Sequence, residues 1–138
     1  MDSSVDLSQL TYLTSGGREL SLKQLIDHWN SHVDRLAKDV SENVDDDHAW
    51  GAEDFLAALY VRQRLAGGSS SASPEVRELL TEKSSASDDL FREITEPDGD
   101  CAVLRFAGEP THPGEWWWSR IPKRGLPRRE LDAWLEQA

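Results

Sequence analysis

The sequence predicts an α+β fold that is mainly α: a three-helix core, a small antiparallel β-hairpin and a C-terminal helix. Three observations carry this. Residues 22–40 place their apolar side chains on one helical face without a break. Two further stretches, beginning near Ala52 and Pro74, keep the same spacing. The short runs Cys101–Phe106 and Trp116–Ile121 are apolar or aromatic, of strand length, and separated by a segment rich in Pro and Gly.

Residues 1–8 are polar and predict a flexible N-terminus. Leu10-Thr11-Tyr12-Leu13 followed by Ser15-Gly16-Gly17 predicts a short hairpin or an extended lead-in. Ser21 and Gln24 form a capping-box pattern in front of the clearest helix. Leu22, Leu25, Ile26, Trp29, Val33, Leu36 and Val40 are its buried stripe, and it is expected to run from Leu22 to about Val40. A second helix is expected over Ala52–Leu65, with Phe55, Leu56 and Leu59 inward. Gly67-Gly68 is expected to stop it, which leaves residues 67–73 as a Gly/Ser-rich loop. Ser73-Pro74 reads as an N-cap followed by Pro in the first turn. Val76, Leu79, Leu80, Leu90, Phe91 and Ile94 favour one helix to about Thr95. Two shorter helices are the alternative, because residues 84–87 are weak helix formers and Asp88 could cap a second one. After the Pro97-Asp98-Gly99 turn, Cys101–Phe106 and Trp116–Ile121 read as paired strands. Pro127 opens a last helix to Glu136 with Leu131, Trp134 and Leu135 facing the core.

The chain has 138 residues, which fits one domain, 1–138, able to bury a modest core. Its one cysteine excludes an intrachain disulfide. The N-terminus has no basic region followed by an apolar run, and no apolar run approaches the ~20 residues that span a bilayer. A cytoplasmic protein without membrane contact is the expectation. The net charge is −11, unevenly spread. From Trp116 onward five basic residues meet three acidic ones, which leaves −13 on residues 1–115. Such a surface repels nucleic acid, and only the short basic segment near the C-terminus offers a contact for it.

The stretch Trp116-Trp117-Trp118-Ser119-Arg120-Ile121-Pro122-Lys123-Arg124 is the most informative. In a strand, Trp116, Trp118 and Arg120 would share one face and Trp117 the other. An exposed Trp beside Arg is the composition of interface hot spots and suits cation–π contact. The plain alternative is that both faces are covered and Arg120 pairs with a carboxylate. Trp116, Trp118 and Arg120, with Lys123 and Arg124 at the rim, are the candidate binding patch. Asp45, Asp46, Asp47 and Glu53 are the acidic candidates. The aspartates lack the ligand spacing of a calcium loop and suit the N-terminal end of the second helix.

His28 and His32 lie one helical turn apart, a spacing that can bind zinc, with His48, Asp47 or His112 as a third candidate. The intervening Trp29-Asn30-Ser31 lacks the glutamate of a metalloprotease helix. The competing reading makes the histidines polar boundary residues. Cys101 is expected to be a buried, inert thiol in its strand: a catalytic one needs a His partner and electropositive surroundings, whereas Asp98 and Asp100 flank it. Neither glycine pair has the spacing of a phosphate loop, and no motif calls for a cofactor.

The residues therefore favour a small acidic, non-enzymatic protein that acts through protein–protein contact. Its acidic face would steer toward a basic partner while an aromatic patch supplies affinity. An inhibitor, immunity or antitoxin-like role fits without being demanded. A small ligand- or metal-dependent enzyme using the histidines, and a nucleic-acid contact through the basic segment, are the alternatives. A homodimer through an uncovered strand edge stays open.

Overall fold

The computed structural model describes residues 6–13, 16–42, 49–108 and 115–137. Two short strands, β1 (Thr11–Leu13) and β2 (Glu19–Ser21), form the antiparallel hairpin expected of the N-terminal turn signal. Tyr12 lies opposite Leu20. Helix α1 (Leu22–Ser41) starts where the capping box places it. Ser21 accepts from the Gln24 backbone N–H at 3.0 Å, and the Gln24 side chain returns the bond to Ser21 N–H at 2.9 Å. Every apolar residue of the predicted stripe is buried.

Helix α2 (Ala52–Ser70) does not stop at its glycines. The expected loop over 67–73 is instead helix to Ser70, followed by a connection of three residues to the next helix. The two glycines serve close approach. A Cβ on Gly67 would meet the Tyr12 hydroxyl at 2.5 Å, and one on Gly68 would meet Leu22 Cδ2 at 2.8 Å. Their missing side chains let β1 and the start of α1 lie directly on α2. That packing outweighs the helix propensity lost, about 1 kcal/mol per glycine.

Helix α3 (Pro74–Ile94) is single and continuous, capped by Ser73. Its serine-rich middle is part of the packing against α1. Ser84 and Ser87 are buried, and Ser87 donates to Asn30 Oδ1 at 2.6 Å. Small side chains there continue the stripe Leu80, Ser84, Ser87, Phe91, Ile94. Helices α1, α2 and α3 form the predicted three-helix core, with Trp29, Phe55 and Phe91 at its centre. Arg62 on α2 grips Asp88 on α3 through two bonds of 2.9 and 3.0 Å. The same carboxylate accepts the Trp29 indole N–H at 2.9 Å. Asp88 thus ties the three helices together and does not cap a second one.

The C-terminal third departs from expectation. Thr95–Pro97 forms β3, and Cys101–Phe106, expected as the strand paired with Trp116–Ile121, is instead most of a short helix, α4 (Ala102–Ala107). Asp98 explains the difference. Its two carboxylate oxygens accept the backbone N–H groups of Ala102 and Val103 at 3.1 and 2.9 Å, an N-terminal cap that favours helix over strand. Cys101 is therefore exposed at the helix start with φ of 53°, and is not a buried strand residue.

Trp116–Ser119 is a turn of 3-10 helix, and only Arg120–Pro122 is extended, as β4. Strand β4 pairs antiparallel with β3, Glu96 opposite Ile121. The last helix, α5 (Leu126–Gln137), lies where Pro127 predicts it and buries Leu131. No described helix is long and apolar enough to cross a membrane.

Candidate functional site

The tryptophan stretch does not form the predicted patch. A 3-10 helix turns every three residues, so three consecutive side chains point in three directions rather than alternating between two. Trp118 is fully buried; its indole N–H donates to Gln63 at 3.1 Å and its ring meets Tyr60 edge-on at 5.1 Å. Trp117 is also buried, beneath the Arg62 guanidinium at 4.4 Å. Trp116 is half-buried, and the cation over its ring is Arg92, at 4.0 Å, not Arg120.

Arg120 turns back onto the end of α3. It donates to the Thr95 hydroxyl at 2.8 Å, the Thr95 carbonyl at 2.9 Å and the Arg92 carbonyl at 3.1 Å. Burial, with Arg92 nearby, moves its pKa down from the usual guanidinium value. The expected carboxylate partner is replaced by carbonyls at a helix C-terminus, where positive charge is favoured. Arg124 does the same for α1, donating to the Val40 carbonyl at 3.0 Å. Arg128 is held by Glu96, Asp132 and the Pro122 carbonyl. Lys123 is exposed. Arg120, Arg124 and Arg128 thus fasten helices inside this molecule.

Among the described residues, the histidines do not converge on a site. His28 is exposed, and His32 donates Nδ1–H back to the His28 carbonyl at 2.7 Å while its ring lies 5.1 Å from Trp50. No metal-holding group of three or more His, Cys, Asp and Glu occurs among the described residues. Asp45, Asp46, Asp47, His48 and His112 lie outside them.

Glu53 leads to a different place. The N-cap of helix α2 is Gly51, which has no side chain with which to cap. Its first N–H groups are served from elsewhere. Asp54 accepts from Gly51 N–H at 2.9 Å, and Glu130, on α5, accepts from Ala52 N–H at 2.7 Å. The second bond needs Gly51 as it is, because any Cβ there would overlap the Glu130 carboxylate. The bond links the start of α2 to α5. Along α5, Glu130 and Trp134 are one turn apart and share a face. Trp134 meets Phe106 of α4 edge-to-face, with ring centres 5.7 Å apart and planes at 90°.

Between these elements opens a wide-mouthed cleft of about 570 Å³. Ala49, Ala52, Phe106, Leu126, Ala133 and Trp134 supply its apolar lining, and Glu53, Asp54 and Glu130 supply three carboxylates. No lysine or arginine, and no hydroxyl, thiol or imidazole, lines it among the described residues. It offers an aromatic surface under negative charge, a setting for holding a cation rather than for nucleophilic chemistry.

Of the predicted site residues that are described, only Glu53 belongs to this cleft. Sequence reasoning placed Trp134 in the core and Phe106 in a strand, and passed over Glu130. The available signal was the spacing of Glu130, Ala133 and Trp134 on one helical face. Comparison with protein families, with curated proteins and with solved structures gave no match.

Proposed function

We propose that this protein is a small acidic binding module that acts through protein–protein contact, with the cleft between α2 and α5 as its contact surface. One observation carries the reading: half-buried aromatic rings and three carboxylates line the same open cleft, on a chain of net charge −11. Half-buried aromatics are the side chains on which binding energy concentrates, and a strongly acidic surface speeds encounter with a basic partner. An inhibitor, immunity or antitoxin-like role in the cytoplasm is compatible with this mechanism.

The test is retention of a partner from nuclease-treated native lysate by the full chain and by two variants. Glu53→Lys reverses charge at the cleft; Lys123→Glu reverses it beside β4. Both residues are exposed, so both variants should fold. The proposal expects the partner to be lost with Glu53→Lys and kept with Lys123→Glu. The opposite pattern returns the contact surface to the segment after the tryptophans, and absence of any retained protein removes the binding reading.

A further inference from the structure

We propose that the cleft seats an arginine side chain presented by an exposed segment of the partner; this rests on the binding reading above and names its chemistry. Three features of the site converge on a guanidinium. The first is charge: Glu53, Asp54 and Glu130 line the cleft with no lysine or arginine among them, so an anionic group would be repelled. A purely apolar group would strip water from carboxylates without replacing it. The second is the state of those carboxylates. Asp54 and Glu130 each give one oxygen to the backbone of α2, which holds them in place without neutralising them. Their orientation is set before any partner arrives, which lowers the ordering cost of binding. The third is the aromatic surface: Trp134 and Phe106 are both half-buried and both line the cleft. A planar, weakly hydrated guanidinium stacks on such rings and bonds carboxylates through two N–H groups at once. A compact, strongly hydrated ammonium does neither as well.

The probe is N-acetyl-arginine methylamide, which carries the guanidinium without terminal charges. Its lysine counterpart and its uncharged isostere, the citrulline compound, are the controls. Each is titrated into the isotopically labelled full chain while the Trp134 indole N–H and the amides of Ala52, Glu53 and Asp54 are followed by NMR. The proposal expects saturable shifts at those four positions with a Kd of roughly 1–10 mM for the arginine compound. It expects binding about 3-fold or more weaker for the lysine compound, and no saturation for the citrulline one. Glu53→Gln, at an exposed position, should weaken the arginine compound about 3-fold or more.

Equal response to arginine and citrulline, or shifts centred elsewhere, overturns the arginine assignment. So does a Trp134 signal that moves with protein concentration before any probe is added, because a second copy of the chain would then be the occupant. Where the arginine compound fails yet Glu53→Lys still abolishes partner retention, the binding reading stands and only its chemistry is wrong. Where both fail, both fall.

Discussion

Two aromatic regions of this molecule have opposite fates. Trp116-Trp117-Trp118-Ser119-Arg120 is the most conspicuous stretch of the sequence, and the fold absorbs almost all of it. Trp117 and Trp118 are buried, and Arg120 spends its guanidinium on three acceptors at the end of α3. Phe106 and Trp134 stand 28 positions apart in quiet surroundings, yet they meet at a cleft and stay half-exposed beside three carboxylates. Composition signals binding potential in both places. What separates them is whether the polar and aromatic groups find partners inside the chain. Trp118, buried with its N–H bonded to Gln63, has nothing left for a second molecule, and the Trp117 ring is covered although its buried N–H has no partner among the described residues.

Stability measurements sharpen the contrast. Trp118→Ala removes a fully buried ring and should cost about 3–5 kcal/mol, read as a lower denaturation midpoint with an unchanged slope. A cost below about 1 kcal/mol would mean that this side chain is a surface group after all. Arg120→Ala should come next, at about 1–3 kcal/mol. It leaves the buried Thr95 hydroxyl without its donor and two carbonyls at the end of α3 without their cation. Addition of salt should recover little of that loss, because the bonds are local and partly buried.

The cleft should behave differently. Glu130→Ala removes a cap supplied from 78 residues away and should cost about 1 kcal/mol, the ordinary worth of an N-terminal cap. Hydrogen exchange should quicken at Ala52 and along the first turn of α2 while the middle of the helix is unchanged. Glu53→Lys should have the smallest effect on stability, within about 0.5 kcal/mol, because Glu53 is exposed. The same substitution should have the largest effect on binding. That inversion, greatest consequence for contact and least for folding, distinguishes a binding surface from a core.

The helical core was legible because its signals are local. The stripe from Leu22 to Val40, the Ser21–Gln24 capping box and the Ser73-Pro74 start each need only a few neighbouring residues to be read. Where the reading failed, the deciding partner was distant or ambiguous. Gly67 and Gly68 look like a stop until Tyr12 and Leu22 are seen lying on them. The run Cys101–Phe106 suits strand or helix equally, and the Asp98 side chain settles the matter. The tryptophans alternate only if the backbone is extended, and a 3-10 turn cancels the alternation. The candidate site was hidden for the same reason. It joins the start of α2 to α4 and α5 through a bond between Ala52 and Glu130, which no sequence window contains. Among the described residues Glu53 alone carried over, because acidic residues at a helix start are visible locally.

The most direct test of the central claim, that the cleft and not the tryptophan segment meets the partner, is site-specific photo-cross-linking in the native cell. A photoreactive amino acid is placed at position 53 in one chain and at position 123 in another; both positions are exposed. The account predicts a covalent adduct, heavier than the 15.5 kDa chain, from position 53 and none from position 123. An adduct from position 123 with none from position 53 would contradict it.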